Sequence, residues 1–417
     1  MEDYKILVIG GGTAGITVAA QLLRKRPGIK LAIVEPSEKH YYQPAWTLVG
    51  AGTFDFEATE RDEKSLIPKG AKWIKHRAEL IDPDNNQITL DDGTQIQYEI
   101  LIMATGVQYN WNIIPGLAEG IGTHHITSNY DKKYTRYTWQ SLQEFTGGNA
   151  LFTQPHTPIK CGGAPQKIMY MAEHYFRKQG KRDNTEVIFA TPGTVIFGTE
   201  PFKGALQKIV KERNIHTFFF HKLVEIRVEA QEAVYQVTNE EHMPDPEDET
   251  IKKLGISIEA DGRVVIPFNF MHTAPPQSAP DFVKNSPLAK QDDPYGFVEV
   301  DRFSLQHTRY SNVFSLGDVA GTPNAKTGAA VRKQAPVLVE NLSHFLDHKQ
   351  SEAEYHGYSS CPIVTGYGKM LLAEFDYENK AVPSLPVNTS RPRWDMWILK
   401  KYILPWFYWN LMLKGKG

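Results

Sequence analysis

The chain has 417 residues, 41% hydrophobic and 23% charged, with a formal net charge of -2 and two cysteines. That length accommodates two or three domains with full cores, and the composition is ordinary for a folded soluble protein. The charge offers no basic field for nucleic acid, two cysteines exclude a disulfide scaffold, and no CxxC or His/Cys cluster predicts a metal site.

Met1 to Tyr4 leads straight into an apolar strand, which leaves no room for a signal peptide. Residues 5–9 (Lys-Ile-Leu-Val-Ile) read as a buried parallel strand. Gly10-Gly11-Gly12-Thr13-Ala14-Gly15 follows, and residues 16–24 read as a helix. Gly10 permits the tight turn, Gly12 lets a pyrophosphate approach the backbone, and Gly15 lets helix and strand pack closely. The helix N-terminus offers free amides and a positive dipole end to phosphate. A second strand, 31–34, ends at Glu35, 20 residues beyond Gly15, where an acid binds ribose hydroxyls and disfavours a 2′-phosphate.

Three further features favour FAD over NAD. Residues 101–106 form an apolar strand ending in Ala104-Thr105-Gly106, with Ile114-Pro115-Gly116 after it; residues 313–318 form another, ending in Gly317-Asp318; and a long helical stretch starts at Gly328. This layout resembles the flavoprotein disulfide reductase superfamily. The resemblance implies that Thr105 and Gly106 close the FAD domain and that Asp318 holds the ribityl or phosphate portion of the cofactor.

Residues 186–190, 201–213 and 217–220 predict a strand, a helix and a strand, a second β-α-β unit. The segment between them, 191–198, lacks the glycine spacing of a second pyrophosphate bed. The acidic, proline-interrupted stretch 239–250 reads as a solvated loop. The expected fold is α/β, with two Rossmann-like dinucleotide-binding domains and a C-terminal amphipathic membrane-associating region. An FAD domain comprises 1–125 and 296–345, a second domain without an NAD fingerprint 126–295, and the C-terminal region 346–417.

Cys161 and Cys361 both lie in Gly/Pro-punctuated segments where a thiol can be exposed. On residue pattern alone they are either two inert thiols or a redox pair. Cys161-Gly-Gly-Ala-Pro-Gln-Lys and Cys361-Pro-Ile-Val-Thr-Gly-Tyr, with the segments 41–50 and 324–328, resemble the sulfide:quinone oxidoreductases, in their mitochondrial-type branch. The resemblance spans nearly the whole chain. It implies oxidation of hydrogen sulfide at a Cys161/Cys361 pair, transfer of its sulfur to a thiol, sulfite or sulfide, and delivery of two electrons through FAD to a membrane quinone. It also implies that Lys326 stabilises reduced flavin; Cys361 is expected to carry the thiolate that faces it. The chain departs from some bacterial relatives: it has no third cysteine, and Gln166-Lys167 stands where they carry an acid. Lys160 and Lys167 are candidates for stabilising thiolates. His156, His174, His221 and His272 could relay protons, and nothing in the sequence selects one.

Trp394, Trp397, Trp406 and Trp409, four of the eight tryptophans, crowd the tail, with Arg391, Arg393, Lys400, Lys401, Lys414 and Lys416 as basic flanks. Pro405 is expected to divide the tail into two short helices, each too short to span a bilayer and suited to its interface. A channel for the quinone is expected near Phe375 and Tyr377. The expected location is a peripheral, monotopic seat on the cytoplasmic face of a bacterial membrane, or on the mitochondrial inner membrane if a leader has been removed. A homo-oligomer is compatible with the sequence. Rival readings are a type II NADH:quinone oxidoreductase, a sulfide dehydrogenase feeding a cytochrome, and a membrane-docked flavin-binding sensor without turnover.

Overall fold

The computed structural model describes residues 2–323 and 326–417. The run Lys-Ile-Leu-Val-Ile lies in the strand Glu2–Ile9, whose inner half is fully buried. It forms the middle of a parallel array, pairing with Leu31–Val34 on one side and Gln95–Met103 on the other. Ala71–Ile74 extends the array beyond Leu31–Val34, and Val313–Ser315 joins it beside Gln95–Met103. Buried on both faces, residues 6–9, Leu31–Val34 and residues 100–103 are continuously apolar, as inner parallel strands require. The helix Thr13–Lys25 and the long helix Gly328–Leu346 cover one face through Ile16, Leu22, Val331 and Leu338.

A second parallel sheet runs in the order Ile126–Thr127, Phe270–Thr273, Gly148–Thr153, Thr185–Ala190, Ile215–Phe218. Its connecting helix is Phe202–Glu212. The acidic stretch is surface structure, with Asp248 capping the short helix Glu249–Leu254. The chain returns to the first unit earlier than residue 296: Ala279, Val283 and Leu288 already pack with Ile9, Leu101 and Phe297.

The C-terminal region is a two-stranded antiparallel unit, Ser359–Gly366 with Lys369–Phe375, followed by the helical tail. Pro405 does not break that tail. The helix Trp394–Ile398 widens into one π-helical turn, Leu399–Ile403, and resumes as Leu404–Asn410. The proline stands in the first turn of the resumed helix, where a missing N–H is tolerated. No helix among the described residues is long and apolar enough to cross a membrane.

A candidate sulfur and dinucleotide site

The two cysteines meet across 200 residues of sequence, with their Sγ atoms 3.5 Å apart and no disulfide between them. Cys161 sits just ahead of the helix Ala164–Lys178, and its carbonyl accepts the Ala164 N–H at 2.8 Å. Its φ of 55° lies in the left-handed region that a non-glycine residue enters only when its surroundings insist. What insists is on both sides: the helix start holds its carbonyl, and its N–H donates to the Lys326 carbonyl at 3.0 Å. Cys361 occupies the strand Ser359–Gly366 and is buried, not exposed in a turn. Gly163 explains why glycine follows Cys161: a Cβ there would lie 2.5 Å from the Cys361 sulfur.

Lys167 stands on the first turns of the same helix, is buried, and donates from Nζ to Cys161 Sγ at 2.9 Å. A hydrogen bond from Cys361 and the Lys167 ammonium hold the Cys161 thiol well below the ordinary thiol range, against the effect of burial. Cys361 moves the other way, pushed up by its hydrogen bond to Cys161 and by burial. The Lys167 ammonium thus favours thiolate character on Cys161, whereas the expected thiolate toward the flavin is Cys361. Lys160 does not serve the sulfurs; its ammonium reaches Gln43 and lies over the Tyr109 ring.

Lys400, expected among the basic flanks of the tail, is turned inward instead. Lys400 is 3% exposed and donates to the Pro44 carbonyl at 2.8 Å. Burial, reinforced by the like charge of Lys167, brings its ammonium down to about 7, while both sulfurs pull it back up. Only the tail's return across the molecule puts it there, so no local sequence signal marks it. Tyr130 is a second residue the sequence did not single out: its hydroxyl is buried without a partner among the described residues, and it feels the charge of both sulfurs.

The four histidines are engaged elsewhere or solvated. His272 accepts the Asn129 N–H at 3.0 Å and is held neutral by burial, its value near 3. His174 accepts from the Tyr367 N–H, and His221 contacts the Phe219 carbonyl. His156, half-buried, is lowered by burial and by Lys222.

The first glycine loop fits a dinucleotide. No side chain caps the helix Thr13–Lys25, so its first amides are free for an anion. A Cβ on Gly12 would meet nothing within 4 Å, which leaves the approach open. A Cβ on Gly15 would lie 1.8 Å from the Gly10 carbonyl oxygen, and one on Gly10 would lie 2.5 Å from that of Ala104. Glu35 accepts the Gly11 N–H at 2.8 Å and the Ser37 N–H at 2.7 Å, which fixes the carboxylate at the strand end. Thr105 and Gly106 follow the strand Gln95–Met103, and Asp318 lies in the turn Gly317–Val319. Lys326 is buried, donates to the Ala320 carbonyl at 2.7 Å, and sits over the Phe297 ring. Burial lowers its ammonium to about 8, with Asp318 and Asp293 resisting. Asn324 and Ala325, from the same motif, lie outside the described residues.

Phe375 and Tyr377 do not share a wall. Phe375 packs at 6.0 Å from Phe197 in the core that also contains Cys361. Tyr377 lies flat over Gly357, packs on Tyr355, and donates to the Arg302 carbonyl at 2.7 Å.

Residues 4–141 match the family described as "Pyridine nucleotide-disulphide oxidoreductase". The chain is 43% identical over 414 residues to the mitochondrial sulfide:quinone oxidoreductase of Mus musculus, covering 99% of this chain and 87% of the relative. The chain belongs to the sulfide:quinone oxidoreductase family. Membership makes it a flavoprotein oxidoreductase. A second member, from Dictyostelium discoideum, is 41% identical over 417 residues, with 99% and 86% of the two chains covered. The X-ray structure of the Aquifex aeolicus sulfide:quinone oxidoreductase superposes with a TM-score of 0.81 at 20% identity, covering 100% of this chain and 92% of that one. That likeness speaks for the fold. The family assignment rests on the full-length relatives.

Proposed function

We propose that this protein oxidises hydrogen sulfide at the Cys161/Cys361 pair and passes two electrons through FAD to a membrane quinone. The observation that carries this reading is the pair itself: two sulfurs 3.5 Å apart, one of them 2.9 Å from a buried ammonium. Two bonds of about 2.05 Å through one interposed sulfur span roughly 3.3 Å at a normal sulfur angle, so the pair suits a direct or a one-sulfur bridge. Hydrosulfide attacks one sulfur of the bridge; the new S–S bond forms as the old one breaks, and the outgoing cysteine leaves as a thiolate. Lys167 stabilises that thiolate on Cys161, which leaves the persulfide on Cys361. The outer sulfur then passes to a thiol, sulfite or a second sulfide.

Bound FAD supplies the two-electron acceptor that returns the pair to its bridged state and hands the electrons to quinone. Gly10, Gly12, Gly15 and Glu35 would hold its dinucleotide end, and Thr105, Gly106, Asp318 and Lys326 its flavin half. Lys326 supports an electrostatic role there, since a buried ammonium favours developing negative charge. Of the two candidates for the quinone's apolar path, Phe375 is favoured by its place in the core that contains Cys361, and Tyr377 is set apart by its contacts to Arg302 and Tyr355. A peripheral seat on one leaflet is supported by Trp394 and Trp406, which the tail leaves 73% and 57% exposed.

Stopped-flow spectroscopy of the flavin tests the proposal. Sulfide bleaches the wild-type flavin, NADH leaves it oxidised, and Cys161→Ala or Cys361→Ala abolishes bleaching by sulfide. Rapid bleaching of either variant by sulfide would overturn the assignment.

A further inference from the structure

The tail reaches a second place besides the sulfur site. Tyr408, on the resumed helix Leu404–Asn410, is buried against Tyr42, with ring centroids 4.7 Å apart. Its hydroxyl lies 2.8 Å from Thr13 Oγ1 and 2.5 Å from His40 Nε2. On the other side of the imidazole, Nδ1 faces the Gly11 carbonyl at 3.2 Å and Glu63 Oε2 at 3.3 Å. Glu63 is 1% exposed, and its other oxygen, Oε1, has no hydrogen-bond partner among the described residues. That free oxygen is aimed at the glycine loop, since a Cβ on Gly11 would lie 2.5 Å from it.

One arrangement of hydrogens satisfies the whole chain. His40 Nδ1 faces two acceptors, so it carries the proton. With the imidazole neutral, Nε2 accepts the Tyr408 O–H. The Tyr408 oxygen in turn takes the Thr13 O–H. Every link runs one way, from Thr13 through Tyr408 and His40 to Glu63 and the Gly11 carbonyl.

The consequence lies in the peptide between Gly11 and Gly12. A trans peptide is planar, so its carbonyl and its N–H point in opposite directions. Pinning the Gly11 carbonyl on His40 fixes the Gly12 N–H in the opposite direction, at the head of the first helix, where a Cβ on Gly12 would meet nothing. The same link keeps the Thr13 hydroxyl turned toward the tail, which leaves its backbone amide for an anion.

We propose that Tyr408, His40 and Glu63 are positioning residues for the pyrophosphate-binding loop, so that the tail which seeks the membrane also sets the geometry that retains the dinucleotide. This rests on the FAD reading above. Removing the Tyr408 hydroxyl leaves both Thr13 Oγ1 and His40 Nε2 without their partner, while the ring still packs on Tyr42.

The test follows FAD release from the holoenzyme as recovery of free-flavin fluorescence, with the melting temperature of the FAD-stripped protein as a second readout. Tyr408→Phe and Glu63→Leu are expected to release FAD about tenfold faster, the scale of one or two buried hydrogen bonds. Glu63→Gln is expected to match the wild type, because its amide oxygen still accepts from His40. Tyr402→Phe, on an exposed tail position, serves as the control and leaves release unchanged. The proposal is overturned if Tyr408→Phe and Glu63→Leu release FAD at the wild-type rate, whether or not they lower the melting temperature of the stripped protein. A wild-type protein that holds no FAD would instead sink the cofactor reading on which the proposal stands.

Discussion

Replacing Lys167 with methionine keeps the length and the apolar stem of the side chain and removes one charge. That charge sits 2.9 Å from Cys161 Sγ, where bare Coulomb attraction amounts to about 6 kcal/mol at an effective dielectric of about 20. Burying the ammonium offsets much of this, and the net value of a charge-assisted hydrogen bond is about 1.5–3 kcal/mol. At 1.36 kcal/mol per factor of ten, the thiolate-to-thiol ratio at a given pH should fall by about ten- to a hundred-and-fifty-fold. Cys361 also lowers Cys161, so the comparison is cleanest between Cys361→Ala and Cys361→Ala/Lys167→Met, in which Cys161 is the single thiol. Alkylation by iodoacetamide is then measured as a function of pH. The ammonium favours the charged thiolate, so its loss moves the midpoint of the profile to higher pH; the rate falls at neutrality and recovers in alkali. Coincident profiles for the two proteins would refute the claim that Lys167 makes Cys161 the thiolate.

Three other outcomes are expected. Lys400 has a folded value near 7 against 10.5 for a free lysine, so the unfolded chain holds more protons between those limits and stability rises with pH across that window. Lys400→Met should therefore raise the melting temperature most below pH 7, with a gain that shrinks toward pH 10.5, as read by scanning calorimetry at several pH values. Gly15→Ala forces a Cβ to within 1.8 Å of the Gly10 oxygen and should yield unstable, flavin-free protein, whereas Gly12→Ala meets no neighbour and should fold normally while binding flavin poorly; melting temperature and the flavin-to-protein absorbance ratio separate the two. Replacing the exposed Trp394 and Trp406 by serine should weaken sedimentation with phospholipid vesicles at least tenfold, since each loses about 1.5–3 kcal/mol of apolar burial at the interface, and should leave bleaching by sulfide unchanged.

The dinucleotide loop was legible because its logic is local. A strand, three spaced glycines, a helix and an acid follow one another within 35 residues, and Gly10 and Gly15 stand in the close backbone contacts that logic demands. The cysteines were legible as a pair only through the resemblance; nothing in their neighbourhoods states that a strand near residue 361 lies against the helix that starts at 164. Lys167 was visible as a candidate because it shares that helix with the Cys161 turn. Lys400 and Tyr408 were not, because what turns them inward is the path of the tail. A run rich in Trp, Tyr and Lys reads the same whether it faces outward or inward, and here it is divided: Trp394 and Trp406 are exposed while Lys400 and Tyr408 are buried. Pro405 misled for a related reason, since a proline signals a break only where the chain needs its N–H.

The way the tail folds back has a bearing on the order of folding. The helix Thr13–Lys25 receives Met412 and Leu413, distant in sequence, into its core, and the chain near Gly415 lies against Ala20 and Gln21. Lys400, from the same segment, donates to the Pro44 carbonyl and is close enough for its charge to couple to both thiols. Neither that helix nor the surroundings of the thiols are complete until these two stretches of chain meet, and contacts this distant in sequence form slowly.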